Sequence, residues 1–315
     1  MTPTSYHYRD SLVIGVDHGY GNMKTAHRVF PASVTEDPQY GASLLTFEGK
    51  DYGIGGGHKD FQICKTLDAD YYLLTLAAIA EELRIRGKHE ENLFLAAGLP
   101  LHWVKEQKED FRAYLLQNHD VKFEYREEAY HITIAGAEIF PQGFAAIAPD
   151  LRNMQGLNML ADIGNGTMNV MLINNGKPVE GGFFTEQFGT WQCMKLARNE
   201  LVRTCGRAIP DMVIENVIRN GTSDISEEVL DAIRKVAEEY VRRVFAKLRD
   251  YGYYPDLMKL YIVGGGQCLV SNFGQGLYDP NRTVLIKDIC ATAKDYEALA
   301  YGSLCRGAVR EGVRK

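Results

Sequence analysis

Short apolar runs that end in glycine-rich turns alternate along this chain with longer stretches of helical periodicity. Leu12-Val13-Ile14-Gly15-Val16 is such a run and leads into Asp17-His18-Gly19-Tyr20-Gly21-Asn22-Met23-Lys24. Leu157-Asn158-Met159-Leu160-Ala161 leads in the same way into Asp162-Ile163-Gly164-Asn165-Gly166-Thr167-Met168-Asn169. The two segments share D-x-G-x-G-x-M at an offset of 145 residues, and each is followed by a second apolar stretch, Thr25 to Phe30 and Val170 to Ile173. This predicts a strand, glycine-rich turn, strand unit used twice.

Around these units the pattern is mixed α/β. Leu44 to Glu48 and Asp51 to Ile54, joined at Gly49-Lys50, read as a hairpin. Tyr71 to Arg86 and Lys105 to Asn118 carry helical periodicity, with a buried strand over Asn92 to Ala97 between them. Val121 to Phe140 reads as strands separated at Arg126-Glu127-Glu128 and at Gly136. Further on, Thr190 to Cys205, Asp211 to Arg219 and Ser226 to Asp250 are predicted helices, the last opened by an N-cap serine and acidic first-turn residues. Leu260-Tyr261-Ile262-Val263 is a strand closed by three glycines, and Tyr296 to Val309 is a final helix with small residues along it.

Composition narrows the classes. The 315 residues are 45% hydrophobic and 24% charged, enough for about two domains at the usual ~150 residues each. The formal net charge is −6 with no basic block, which argues against direct DNA binding through phosphate contacts. The longest apolar run, Leu73 to Ala80, is far below the ~20 residues that span a bilayer. Met1 to Asp10 lacks a cationic start and apolar core, so a cytoplasmic location without a membrane partner is expected. Six scattered cysteines, Cys64, Cys193, Cys205, Cys268, Cys290 and Cys305, read as buried thiols rather than as a zinc or disulfide framework. Glycine is in excess, at 31 residues.

The glycines sit where chemistry would need them. A hairpin turn containing Gly19 and Gly21, or Gly164 and Gly166, can bring backbone amides close to an anion, because glycine tolerates positive φ and carries no side chain. Asp17 and Asp162 end the strands; two carboxylates facing phosphates require a cation, and Mg²⁺ held partly through its waters is the usual solution. Lys24 adds a positive charge that the second copy, with Asn169, lacks. One turn alone is as well read as an ordinary Asp-Gly hairpin; the pair favours a phosphate cradle. Gly264-Gly265-Gly266-Gln267 would let a flat base or sugar lie on the backbone, though a triple glycine is also a simple strand-to-helix loop. Gly53 to Lys59 lacks the Walker A register, and the first strand is not followed by a dinucleotide fingerprint.

In order and spacing, Asp17 to Lys24, Asp162 to Asn169 and Val263 to Gln267 resemble the phosphate-one, phosphate-two and adenosine motifs of the actin, sugar kinase and heat-shock chaperone ATPase superfamily. Within it the chain most resembles plasmid-segregating bacterial actins of the ParM (StbA) type, with Gly98-Leu99-Pro100-Leu101, Ile214 to Gly221 and Asp295 to Gly302 agreeing. The resemblance implies an α/β actin-like (ribonuclease H-like) duplicated fold, two lobes around a nucleotide cleft. Lobe I would span 1–155, with a small subdomain over about 31–92 and a helix over about 295–315 returning to it; lobe II would span 156–294, with a helical subdomain over about 195–255.

Roles follow from the same resemblance. Asp17 and Asp162 would orient Mg²⁺ and its waters, and the amides of Gly19, Tyr20, Gly21, Asn22, Gly164, Asn165, Gly166 and Thr167 would hold phosphates, with Lys24. Pro141-Gln142, at the start of an apparent helix, stands where the family carries a water-positioning residue, so Gln142 would orient the attacking water. Gly264 to Gln267 would lie beside the adenosine with Gly189 opposite. Asn165, Met168, Asn169, His18 and Tyr20 depart from the family pattern and leave GTP open beside ATP and ADP. The implied function is a filament-forming ATPase that assembles head to tail and segregates plasmid DNA through a ParR-like centromere-binding adaptor. The alternatives are a small-molecule kinase of the same fold, for which no further catalytic Asp is placed, or a cytoskeletal actin with other cargo.

Overall fold

The computed structural model describes residues 5–38, 42–56, 66 and 68–312. Cys64 and Gly57 to Lys59 lie outside the described residues. The chain divides into two compact units: residues 1–146 with 290–315, and residues 147–289.

In the first unit the strands are β1 (Tyr6–Tyr8), β2 (Ser11–His18), β3 (Asn22–Thr25), β4 (Val29–Pro31), β5 (Val34–Thr35), β6 (Ser43–Phe47) and β7 (Lys50–Ile54). Then come α1 (Asp70–Ile85), β8 (Glu90–Leu99), α2 (Leu101–Leu115), β9 (Asp120–Tyr125) and β10 (Glu128–Pro141). The second unit holds β11 (Leu157–Ile163), β12 (Met168–Asn174), β13 (Lys177–Glu186), α3 (Thr190–Cys205), α4 (Asp211–Asn220), α5 (Glu227–Asp250), β14 (Lys259–Val263), α6 (Gly266–Phe273) and β15 (Thr283–Leu285). Helix α7 (Ala291–Gly312) belongs to the first unit.

The repeat extends to strand register. The first sheet runs β4-β3-β2-β8-β10 before continuing through β9, β6, β7 and β5; the second runs β13-β12-β11-β14-β15. In both, three antiparallel strands are followed by two parallel additions. Asp17 lies opposite Lys24 and His18 opposite Met23; Asp162 lies opposite Asn169 and Ile163 opposite Met168. The 145-residue offset of the motif is thus also the offset of the hairpin pairing. Met23 and Met168 are both fully buried, so the shared methionine of the motif is a packing residue.

Alternation along β2 separates its two faces. Leu12, Ile14 and Val16 join the core that α1 covers, while Val13 packs with Tyr296 and Ala300 of α7. Helix α7 lies close because glycines admit it: a Cβ on Gly15 would sit 2.0 Å from the Ala293 carbonyl oxygen, and one on Gly98 1.8 Å from the Tyr296 hydroxyl. At this contact the Gly15 N–H donates to Glu297 Oε1 at 3.0 Å. Below β3, the buried Glu82 of α1 accepts from Thr25 Oγ1, the His27 amide and Arg86, tying the β3–β4 turn to the helix.

Several elements differ from the sequence expectation. Thr25 to Phe30 is not one strand: a turn at Ala26 to Arg28 splits it into β3 and β4, closed by the Thr25 amide donating to the Arg28 carbonyl. Helix α2 starts at Leu101, immediately after an extended Pro100. Val121 to Phe140 does not break at Gly136: β10 runs through it with a bulge at Ala135, and Gly136 accommodates the Phe94 ring, which a Cβ there would meet at 2.7 Å. Ser226 stands at the N-cap of α5, but its side chain makes no capping bond. Of the five described cysteines, Cys193 and Cys290 are buried while Cys205, Cys268 and Cys305 are half-buried, and all five are free thiols. Burial pushes the Cys193 thiol up to about 12.

Candidate functional site

The first unit gathers Asp17, Lys24 and Gln142. Asp17 is the penultimate residue of β2 and is only 6% exposed. Its Oδ2 pairs with Lys24 Nζ at 3.0 Å across the hairpin register. Its Oδ1 accepts from Gln142 Nε2 at 3.2 Å, and the same amide nitrogen reaches the His18 carbonyl at 3.4 Å. Gln142 is placed by the sheet and not by a helix, which corrects the expected helix start. It follows the last residue of β10 directly, its own N–H continues the parallel ladder to the Leu99 carbonyl at 2.8 Å, and a turn comes next. Because both neighbours of its nitrogen are acceptors, the carboxamide oxygen, a hydrogen-bond acceptor, faces away from them.

The β2–β3 turn is compact for a steric reason. Neither Gly19 nor Gly21 has positive φ, so the expected use of left-handed glycines does not hold there. Instead, a Cβ on Gly19 would lie 2.5 Å from the Asn22 carbonyl oxygen. Tyr20 turns its ring inward, 7% exposed, and burial raises its phenol so that it stays neutral.

In the second unit the β11–β12 turn is braced from behind by α3. The Gly164 N–H closes the hairpin on the Thr167 carbonyl at 2.8 Å. The Gly164 and Asn165 carbonyls accept from the first α3 amides, Thr190 at 3.0 Å and Trp191 at 2.8 Å. Asn165 Oδ1 accepts from the Thr190 hydroxyl, which gives this departure from the family pattern a structural use. Gln192 bridges turn and helix: its Nε2 donates to the Gly166 carbonyl at 3.0 Å and its Oε1 accepts the Gly189 N–H at 2.9 Å. With carbonyls drawn toward α3, the amides of Asn165, Gly166 and Thr167 find no acceptor among the described residues, which is the arrangement that suits an oxyanion.

Gly189 belongs to this brace. A Cβ on it would sit 2.3 Å from the Asn165 carbonyl oxygen, and its own carbonyl accepts from the Tyr240 hydroxyl at 2.7 Å. Thr190, Gln192 and Tyr240 were not among the residues expected from sequence. The signal for Gln192 is its place three residues after the Gly189 N-cap, the position from which a Gln reaches back to a helix start.

Asp162 is held near the end of β14 in register with Val263. Gly264 has φ +83°, and a Cβ there would meet Asp162 Oδ1 at 2.7 Å and the Ile163 carbonyl oxygen at 2.6 Å. Gly266 is likewise forced by Ile163, 2.2 Å from its would-be Cβ. Gly265 is different: it has helical backbone angles and a Cβ would meet nothing, so no neighbouring protein atom excludes a side chain. Gln267 is 4% exposed, and its Oε1 has no partner among the described residues. A cleft of about 490 Å³ in the first unit, lined by His89, Lys122, Tyr130 and His131 among others, contains none of the expected site residues. Among the described residues no three His, Cys, Asp or Glu side chains cluster as a metal cage.

This duplicated sheet with its paired turns is the actin-like fold. Residues 15–144 match the family model described as the N terminal domain of actin like proteins, and over the whole chain the likeness to solved structures is one of fold. It is similar to Ta0583, an archaeal actin homolog, at 21% identity and TM-score 0.75 over 92% of this chain and 99% of that one. The same homolog has been solved in complex with ADP, at TM-score 0.73 and 21% identity over 91% and 98%. The actin-like protein Alp7A shares 15% identity over 96% and 99% at TM-score 0.74. A subunit of a 15-stranded ParM filament from Clostridium botulinum shares 16% over 92% and 99% at TM-score 0.70. No match was found among curated proteins.

Proposed function

We propose that this chain is an ATP hydrolase that assembles into head-to-tail filaments when ATP is bound and releases them on hydrolysis. The observation that carries the reading is the contact of Gln142 with Asp17 at 3.2 Å beside a glycine turn, repeated at 145 residues by a second turn with unclaimed amides. Amides of Asn165, Gly166 and Thr167 would take phosphate oxygens of a nucleotide. The Gly19 to Asn22 turn is proposed for the same kind of role, although the Gly19 N–H itself donates to the Asp17 carbonyl at 3.1 Å. Gly265, free of any steric demand, suits close approach of the adenosine.

Lys24 is held on Asp17 in this structure, so its charge stands within reach of the phosphates of the same turn. Gln142, its nitrogen committed to Asp17 and the His18 carbonyl, presents its oxygen to a water and fixes that water's orientation for attack on the terminal phosphate. Asp17 and Asp162 are the carboxylates that would hold Mg²⁺, an ion that keeps waters and takes one or two carboxylates with substrate phosphates. The ion would neutralise developing phosphate charge.

An actin homolog with ADP and the ParM filament support nucleotide use and self-association, respectively. A ParR-like adaptor linking the filament to plasmid DNA completes the reading, in keeping with the net charge of −6. No described helix is long and apolar enough to cross a membrane, and the proposed location is the cytoplasm. Light scattering at tens of micromolar protein tests the function: ATP with Mg²⁺ should raise the signal and ADP should not. Equal scattering in both overturns the filament reading.

A further inference from the structure

His18 ends β2 on the face that packs into the core, in line with Leu12, Ile14 and Val16, and is fully buried. The equivalent residue of the second unit, at the same register position 145 residues on, is Ile163, also fully buried. Packing alone is therefore met by an aliphatic side chain at this place in the repeat. A buried imidazole costs desolvation and is retained only with hydrogen bonds to offset it.

Those bonds run in one direction. His18 Nε2 lies 2.8 Å from Thr75 Oγ1 of α1. The Thr75 hydroxyl spends its single proton on the Tyr71 carbonyl at 2.6 Å, so it receives from His18, which fixes the proton on Nε2. The ring also meets Phe111 of α2 edge-on at 5.3 Å and Tyr71 at 6.1 Å. On the other side, the backbone of the same residue carries the carbonyl that Gln142 Nε2 reaches at 3.4 Å, one residue from the Asp17 carboxylate.

We propose that His18 is a positioning residue through which helix α1 sets the Asp17–Gln142 pair. The inference rests on the ATP hydrolase reading for its kinetic part only. Its ring anchors the end of β2 to α1, and its carbonyl and the adjacent Asp17 form the seat of the Gln142 amide. A shift of α1 along its axis is then transmitted to the oxygen that orients water, without any contact between α1 and the nucleotide.

The test compares His18→Ile, which restores the side chain of the repeat, with His18→Gln, whose amide nitrogen can donate to Thr75, and with Thr75→Val. Steady-state kinetics should show His18→Ile and Thr75→Val each lowering kcat about tenfold with KM unchanged, His18→Gln within about threefold of the parent, and the double variant His18→Ile/Thr75→Val no worse than either single one. Hydrogen exchange read by mass spectrometry needs no turnover: amides of the Gly19 to Asn22 turn should exchange faster in His18→Ile and Thr75→Val, with those of Gly164 to Thr167 unchanged. Loss of ATP hydrolysis by the parent chain would sink the functional reading and leave the exchange result to decide this one. Parental kcat and parental exchange in His18→Ile overturn the proposal, as do losses in the two single variants that add.

Discussion

The Glu297 carboxyl accepts the Gly15 N–H at 3.0 Å, joining α7 to the middle of β2 across 282 positions of sequence. Glu297 is 2% exposed, and burial, opposed by the Gly15 bond and by Arg86 and Lys294 and reinforced by Glu82, raises its carboxyl from the ordinary 4.5 to about 8. In the folded chain this group keeps a proton that the unfolded chain loses, so stability falls as pH rises between about 4.5 and about 8 and levels off above. The slope from this group is at most roughly 1.4 kcal/mol per pH unit. Glu297→Gln keeps an acceptor for Gly15 and removes the titration; thermal unfolding from pH 5 to 9 should show a flatter profile, with the variant ahead of the parent at pH 8. Parallel profiles would show that Glu297 is ionised in the fold.

Gln142→Ala removes the carboxamide while leaving both turns intact. Nucleotide affinity, measured by fluorescence of a labelled ATP, should stay within a few-fold, and phosphate release should slow by about 10²-fold. Unchanged release removes Gln142 from the mechanism.

Gly189→Ala tests the brace. Gly189 has extended backbone angles open to any residue, so the cost is purely that of a methyl placed 2.3 Å from the Asn165 carbonyl oxygen. Unfolding should move by about 1 to 3 kcal/mol, and ATP affinity should fall with it as the three amides lose alignment. Tyr240→Phe, which deletes only the hydroxyl bond to the Gly189 carbonyl, should cost about 1 kcal/mol and leave affinity nearer the parent.

Gly264→Ala combines a left-handed backbone at φ +83° with a clash on Asp162 Oδ1. Stability should drop by about 1 to 3 kcal/mol, and the magnesium dependence of turnover should weaken as Asp162 is displaced. Parental magnesium dependence in a folded variant would show that Asp162 is not needed for the ion.

Much of this fold is legible from local pattern, because a strand that stops at glycines announces both its existence and its end. Helix α3 begins and ends where periodicity places it, at Thr190 and Cys205, and β14 differs by one residue. What pattern misreads is short-range competition. The stretch from Thr25 to Phe30 is apolar enough for one strand, yet Glu82 captures Thr25 and His27 and the backbone folds between them. The glycines of the turns are visible in sequence, whereas their reason is not: Gly19 is set by the Asn22 carbonyl and Gly189 by the Asn165 carbonyl, contacts that exist only after folding. The contact of Gln142 with Asp17, 125 positions apart, is not legible in sequence, since no spacing rule reaches that far; family resemblance implied only a separate role for each.

The seat of α7 also has a consequence for how the protein is made. Helix α7 leaves the ribosome only after all of residues 147–289, yet it covers the Val13 and Gly15 face of the strand that carries Asp17. During synthesis that face stays wet while the second unit is free to complete its own core, so the Asp17 turn acquires its backing last.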